Sequence, residues 1–311
     1  MSDAAPRKRG PFPTGWRVGI RSFFAGRGGI EPAVRIRERV QRGDLRLADG
    51  LEKLRRTAAS IRPGGLLLDW GRCQLGLSPA AEAEWFQRAW WGLWAGEMFR
   101  DQVHSVPQHD DAMAIIDRPS PALLDRFRAT GQGRILAGAH VGPPHAALAW
   151  LLEQKLPLLA WTAAATASFG GTAAGASLVN ASCEPNSLTL AAFHLRRGGV
   201  FFTAIDGGAA GRLILLRFLN GGVRCSTAIP ALARRLELPT ERLLALWKGN
   251  RITIDCAPVA PAAAGLDEES CNRAWLEACR QPIDEVLRTS PENIRRLRFW
   301  SEGAICKEIG L

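Results

Sequence analysis

The chain has 311 residues, of which 47% are hydrophobic, and its formal net charge is +10. This length supports one large domain, or a domain with a helical subdomain, around a sizeable core. The seven cysteines include no CxxC pair, which argues against a disulfide framework or a zinc site and favours a reducing, intracellular compartment. No apolar run approaches the roughly 18 to 20 residues of a membrane span.

The positive charge is concentrated at the amino end, where residues 1–62 carry 15 Lys/Arg against 6 Asp/Glu. Such a segment favours an anionic partner, namely nucleic acid, a phospholipid surface or an acidic protein, although a solvated basic tail is the alternative. Within residues 1–30, the stretch GWRVGIRSFFAG places Trp16, Ile20 and Phe23 on one helical stripe beside arginines. This pattern is typical of a helix in a membrane interface, and equally of a helix docked on the protein's own core.

Residues 31–128 show a helical pattern broken at 62–65, 78–81 and 105–112, and we interpret them as an N-terminal helical part. One of its segments, AEAEWFQRAWWGLWAGEMF, carries four tryptophans. Because tryptophan favours places with one apolar and one wet side, the cluster fits either core packing or a lipid-facing groove.

From Gly133 onward, strands and helices alternate. Strands are predicted at 134–139, 157–163, 199–205, 212–219, 242–248 and 251–259. Helices are predicted at about 145–154, 187–197, 226–237, 268–288 and 291–300. The alternation predicts an α/β fold over 129–311, with a mostly parallel sheet flanked by helices. Ligands of such sheets bind at the carboxyl ends of the strands, and His140 follows the first strand of this series.

Five stretches carry a family resemblance: GQGRILAGAHVG (131–142), HLRRGGVFFTAIDGG (194–208), RFLNGG (217–222), STAIPALARRLELP (226–239) and SPENIRRLRFW (290–300). In this order they resemble the lauroyl/myristoyl acyltransferases of lipid A biosynthesis, within the lysophospholipid acyltransferase superfamily. The resemblance implies a glycerolipid acyltransferase-like fold that moves a fatty acyl group from acyl carrier protein or coenzyme A to a hydroxyl at a membrane surface. It implies no metal and no permanently bound cofactor.

The resemblance also implies a catalytic dyad, His-x4-Asp/Glu, after the first core strand. His140 occupies the histidine position and is expected to act as general base. The acidic position is occupied by His145, which could orient His140 but would contribute no negative charge. Asp206, in the IDGG turn after a later strand, is the candidate for the missing acid, against the alternative of a turn-forming aspartate.

Substrate binding is assigned to Gly142 and to three arginines. Residues 135–195 contain no arginine, whereas the family usually places one after the second strand to hold an anionic acceptor. The replacement candidates are these three, Arg196, Arg197 and Arg217, together with Arg212, and solvent-facing positions are the alternative for each. The acceptor could therefore be an amine or a hydroxyl on a molecule other than lipid A.

Several other polar residues are given lesser roles. Asp110 and Asp111 belong to a polar loop that could fold over the site or be solvated. Cys225 is a weak candidate for an acyl-accepting thiol. Three further histidines are interpreted as structural: His104, His109 and His194.

Two functions remain open at this stage. The first is an atypical acyltransferase of lipid biosynthesis, cytoplasmic and peripheral on the inner face of the cell membrane, whose basic amino end contacts acyl carrier protein or the membrane. The second is a catalytically degenerate protein that binds acyl chains, carrier protein or a partner enzyme. Nucleic-acid binding is not expected, because the chain has no recognisable reading motif and no tyrosine for base stacking.

Overall fold

The structure, a computed structural model, describes residues 30–128, 131–143, 145–161, 177–179, 186–206, 212–261 and 265–295. The interfacial helix expected at GWRVGIRSFFAG, residues 15–26, lies outside these ranges. No helix among the described residues is both long and apolar enough to cross a membrane.

The first part of the described chain is helical, as the periodicity predicts. Its helices are α1 (Ile30–Gln41), α2 (Leu47–Ala58), α3 (Gly65–Leu75), α4 (Glu82–Val103), α5 (His109–Met113) and α6 (Pro121–Arg128). Helix α3 ends where Gly76 adopts a left-handed conformation, which satisfies a terminal carbonyl through its own amide. The short α5 begins inside the break expected at 105–112.

The tryptophan cluster belongs to the core. Trp85, Trp90, Trp91 and Trp94 of α4 are all buried. The ring of Trp91 meets that of Trp247 edge-on, with their centroids 5.2 Å apart. Because Trp247 lies in the sheet, this contact joins the helical part to the sheet through one apolar core. Of the two interpretations of these tryptophans, core packing is confirmed.

The second part of the chain alternates strands and helices. The strands are β1 (Ile116–Asp117), β2 (Arg134–Gly138), β3 (Leu158–Trp161), β4 (Ser177–Val179), β5 (Val200–Ala204), β6 (Leu213–Phe218), β7 (Gly221–Ser226), β8 (Thr240–Lys248) and β9 (Arg251–Pro258). The helices are α7 (Ala146–Glu153), α8 (Ser187–Arg196), α9 (Ala228–Arg235) and α10 (Glu268–Thr289).

Seven of the described strands form one sheet in the order β1-β9-β8-β2-β5-β3-β4. Its neighbours are parallel, except for the antiparallel pair β8–β9. The predicted mixed α/β fold, with a mainly parallel sheet flanked by helices, is therefore confirmed.

Several elements differ from the prediction, which did not include the strands β1, β4 and β7. The strand expected at 212–219 does not join the main sheet, because β6 turns back at Asn220 and pairs with β7 in an antiparallel hairpin. The helix expected at 291–300 is, in its described part, a 3-10 turn at Pro291–Asn293 followed by extended backbone at Ile294. Residues 296–300 lie outside the described ranges.

Candidate active site

Strands β2 and β5 are parallel neighbours, and the connections that leave their carboxyl ends run in opposite directions across the sheet. From β2 the chain passes through α7 to β3, whereas from β5 it passes through α9 to β8, on the opposite side of β2. Since parallel crossovers are right-handed, these two connections leave on opposite faces of the sheet. A crevice opens between such strands, and open α/β sheets bind their ligands there.

The register of the sheet brings His140 and Asp206 together at this point. In the parallel pair β2–β5, Gly138 lies opposite Ala204. His140 and Asp206 each follow two residues later, so the two side chains leave neighbouring strands at the same level. The amide of Ile205 still donates to the carbonyl of Gly138 at 2.9 Å, which keeps the two strand ends aligned.

The two side chains form a hydrogen-bonded dyad. The Nδ1 of His140 lies 2.8 Å from Oδ1 of Asp206, and the backbone amide of His140 donates to Oδ2 at 3.0 Å. The Asp206 side chain is only 1% exposed, whereas 22% of the His140 side chain remains accessible. The carboxylate is therefore enclosed behind a ring that reaches the surface of the site.

The charge of Asp206 fixes the protonation pattern of the ring. Burial alone would raise the pKa of this carboxyl, but the nearby His140 charge and the hydrogen bonds from its ring and amide outweigh burial, and the pKa lies below its ordinary value. An ionised carboxylate can only accept hydrogen bonds, so the Nδ1 of His140 must carry the proton. In a neutral ring, Nε2 then has the lone pair that a general base needs.

His145 has a different position from the one expected. Because Asp206 already holds the Nδ1 of His140, the orienting role assigned to His145 belongs to Asp206. The Nδ1 of His145 lies 2.7 Å from Nε2 of His104, the residue that follows the last turn of α4. His145 has a left-handed backbone, with φ of 66°, immediately before α7.

His104 is thus a residue of this region that the sequence analysis treated only as structural. The two imidazole planes are nearly perpendicular, with centroids 4.9 Å apart. Little in the sequence indicates the contact between His104 and His145, because the two residues are 41 positions apart and no local spacing connects them.

Gly142 is part of the loop that carries His140. Its φ is +65°, and a Cβ atom at this position would lie 1.9 Å from the carbonyl oxygen of Ala245. Only glycine allows the loop to pass this close to β8. The structure assigns Gly142 to loop packing, and its expected contact with substrate remains a prediction.

The three arginines assigned to the substrate lie elsewhere. Arg196 and Arg197 lie before the amino end of β5, whereas Asp206 follows its carboxyl end. Strand β5, which separates the two arginines from Asp206, spans roughly 16 Å at about 3.3 Å per residue. Both are exposed, and the guanidinium of Arg197 stacks 5.3 Å from the ring centroid of Phe193. Contrary to expectation, neither arginine can assist His140. Arg217 lies on the exposed face of the β6–β7 hairpin, outside the main sheet.

The residues given lesser roles in the sequence analysis are held by structural contacts or by burial. Asp111 accepts the amide of Leu47 at 2.8 Å, at the start of α2, so it does not fold over the dyad. Burial raises the pKa of the Cys225 thiol to about 12, which keeps it protonated and poorly nucleophilic. His109 and His194 bond to backbone oxygens, as a structural role requires.

The described residues contain no group of three or more His, Cys, Asp or Glu side chains that could hold a metal ion. The geometry of the described dyad suits acid–base chemistry at the imidazole of His140, with the buried carboxylate of Asp206 beside it.

Comparison with known proteins gives one distant relationship to report. No family model matches the chain. The chain is 25% identical over 234 residues to the Vi polysaccharide export protein VexE of Salmonella typhi, and the match covers 73% of this chain. It covers only 35% of the length of that relative.

Proposed function

We propose that the chain is an acyltransferase that moves a fatty acyl group from an acyl thioester to a hydroxyl or amine acceptor. The observation that supports this most is the 2.8 Å contact between His140 and the buried Asp206 at the carboxyl ends of two parallel strands. The resemblance to the lipid A acyltransferases led us to expect a histidine–carboxylate dyad after the first core strand. The acid missing from position 145 is supplied by Asp206, from a different strand.

In the proposed reaction, Nε2 of His140 takes the proton of the acceptor's hydroxyl or amine as that group attacks the thioester carbonyl. A bond forms between the acceptor atom and the carbonyl carbon, and the carbon–sulfur bond then breaks. The departing thiolate receives the proton from the imidazolium, which returns His140 to its starting state. Throughout the cycle the Asp206 carboxylate holds the Nδ1 proton and stabilises the imidazolium.

The donor and acceptor are proposed by chemical class. A thioester of acyl carrier protein or coenzyme A suits the donor role, as in the family that the sequence resembles. The Salmonella relative is named for the export of a polysaccharide. Because a polysaccharide is rich in hydroxyl groups, we propose saccharide hydroxyls as the first acceptors to test, alongside lipid acceptors.

We further propose that the enzyme works at the inner face of the cell membrane, in peripheral contact. The excess of arginine and lysine in residues 1–62 supports this proposal, because anionic lipids and acyl carrier protein are both attracted to a basic segment.

The test is release of thiol and formation of acylated product from acyl-carrier-protein and acyl-coenzyme A thioesters, with saccharide and lipid acceptors. The account predicts turnover that His140→Ala abolishes and that His194→Ala leaves nearly unchanged. His194 is a suitable control because its ring bonds only to the backbone oxygens of Pro157 and Val200 among its described contacts, at the far edge of the sheet.

A different result would favour the second function. If the protein binds acyl thioesters but releases no thiol with any acceptor, and His140→Ala does not weaken binding, then it is a non-catalytic acyl-binding protein. Turnover that survives His140→Ala would refute the assigned base.

A further inference from the structure

Asn293 makes a set of buried hydrogen bonds next to the loop that carries His140. The residue is 1% exposed and lies at the end of the short 3-10 turn Pro291–Asn293. Its backbone oxygen accepts the amide of Gly142 at 2.7 Å. Gly142 is only two residues from His140, so this bond ties down the loop directly behind the proposed base.

The side chain of Asn293 joins the same loop to β8. Its Oδ1 accepts the amide of Trp247 at 2.7 Å, and its Nδ2 faces the oxygen of Trp247 at 3.4 Å. Strand β2 pairs with β8 only as far as Arg242, because β2 ends at Gly138. Beyond that point no residue of β2 pairs with β8, and the side chain of Asn293 provides the hydrogen-bond partners for the backbone amide and carbonyl of Trp247.

The turn that carries Asn293 is itself held firmly. It packs under α4 at Gly92, where a Cβ atom would lie 1.9 Å from the oxygen of Glu292. The guanidinium of Arg88, also on α4, contacts both carboxylate oxygens of Glu292 at 3.0 and 3.2 Å. The helical part of the chain therefore fixes the position of Asn293. Through its bond to Gly142, Asn293 in turn fixes the position of the His140 loop.

We infer that Asn293 is a positioning residue for the proposed acyl transfer, and this inference rests on the proposed function. The side-chain bonds of Asn293 to Trp247 fix the place of its backbone oxygen, which holds the amide of Gly142. Asp206 holds the ring and amide of His140 from the other side. The Nε2 atom of His140 is then held at a fixed place relative to the strand ends. A misplacement of about 1 Å in a catalytic group can cost on the order of a hundredfold in rate.

The test compares Asn293→Ala with Asn272→Ala, a matched control. Asn272 is also a buried asparagine, but it lies in α10, and no described hydrogen bond joins it to the His140 loop. Rates are expressed per folded molecule, with the folded fraction measured by circular dichroism. We expect Asn293→Ala to lower kcat by roughly a hundredfold with little change in KM, and Asn272→Ala to stay within about threefold of the parent protein.

A second variant, Asn293→Asp, tests the pH dependence of activity, which would not change if Asn293 were needed only for folding. Its buried carboxyl should have a raised pKa, and only its protonated form can both accept from and donate to Trp247 as asparagine does. The activity of Asn293→Asp relative to the parent should therefore rise as pH falls. A flat ratio across pH, or equal losses in Asn293→Ala and Asn272→Ala, would overturn the inference.

The outcome can be separated from failure of the proposed function. Reaction of His140 with diethyl pyrocarbonate, followed by mass spectrometry, reports how the loop holds the ring without requiring turnover. If the parent protein shows no acyl transfer but Asn293→Ala changes the reaction rate of His140 several-fold, the proposed function fails and the clamp stands. An unchanged rate in Asn293→Ala refutes the clamp.

Discussion

Replacement of Asp206 by asparagine tests the dyad with almost no change in shape. The carboxylate accepts two hydrogen bonds from His140, one from the ring and one from the backbone amide. Asparagine keeps one of these oxygens as an acceptor and replaces the other with an NH2 group, which can only donate. If that oxygen accepts the backbone amide, the NH2 group faces Nδ1 of the ring and forces the proton onto Nε2. His140 is then a donor where a base is needed.

The size of the expected effect follows from this tautomer change. In serine-protease triads, the same carboxylate-to-amide change costs about four decades in kcat, or roughly 5 kcal/mol in the barrier at 1.36 kcal/mol per decade. The geometry here is similar, because Asp206 is enclosed and bonded to Nδ1. We expect a loss of 10³- to 10⁴-fold in kcat, with a much smaller change in KM.

The assay is thiol release under saturating thioester and acceptor, normalised to the folded fraction. Glu241→Gln is the matched control, because Glu241 is also a buried carboxylate but bonds to Arg126 and Arg134 at the opposite edge of the sheet. The control should lose stability and keep its turnover per folded molecule. A loss below tenfold in Asp206→Asn, or an equal loss in Glu241→Gln, would contradict the assignment of Asp206.

Three further predictions concern stability and reactivity. Since the folded-state pKa of Asp206 is lowered, its stabilising charge is fully present above the unfolded carboxyl pKa of about 4 and is lost as pH falls through the lower folded value. Denaturant unfolding between pH 5 and 2.5 should show this loss, and Asp206→Asn should lessen it; identical slopes would argue against the shift. Gly142→Ala should cost at least ~2 kcal/mol more than Gly249→Ala, since both glycines have φ near +65° but only Gly142 lacks room for a Cβ. Equal free energies of unfolding would refute the close approach. Cys225→Ser should keep the rate of acyl transfer, and the native thiol should resist alkylation at pH 8, because burial raises its pKa to about 12; rapid labelling would show that it is exposed.

The secondary structure of the sheet was readable where apolar runs were bounded by glycine or proline. Strand β2 and the helix after it lie within a residue or two of the prediction, because ILAG is an apolar run behind Arg134 and a Gly-Pro-Pro loop follows it. The β6–β7 hairpin was missed, because its two-residue turn is Leu219-Asn220 and leucine rarely adopts the positive φ of 52° that Leu219 has there. Its second strand, GGVRCS, is short and glycine-rich, so propensity alone does not identify it.

The candidate site was only partly predictable. The sequence placed His140 at a strand end, but the choice between His145 and Asp206 as its partner depended on the register of β2 against β5. That register is a long-range property of the sheet, and no local spacing encodes it. The contact between His145 and His104 was hidden for the same reason, since it depends on how α4 packs against the start of α7.

The most direct test of the central claim is a double-mutant cycle in kcat for acyl transfer, using His140→Ala, Asp206→Asn and the double variant. Residues that act as one catalytic unit give strongly non-additive losses. We predict that the double variant is no slower than His140→Ala alone, within about threefold. Losses that multiply, with the double variant slower by the product of the two single effects, would show that His140 and Asp206 act independently and would contradict the dyad.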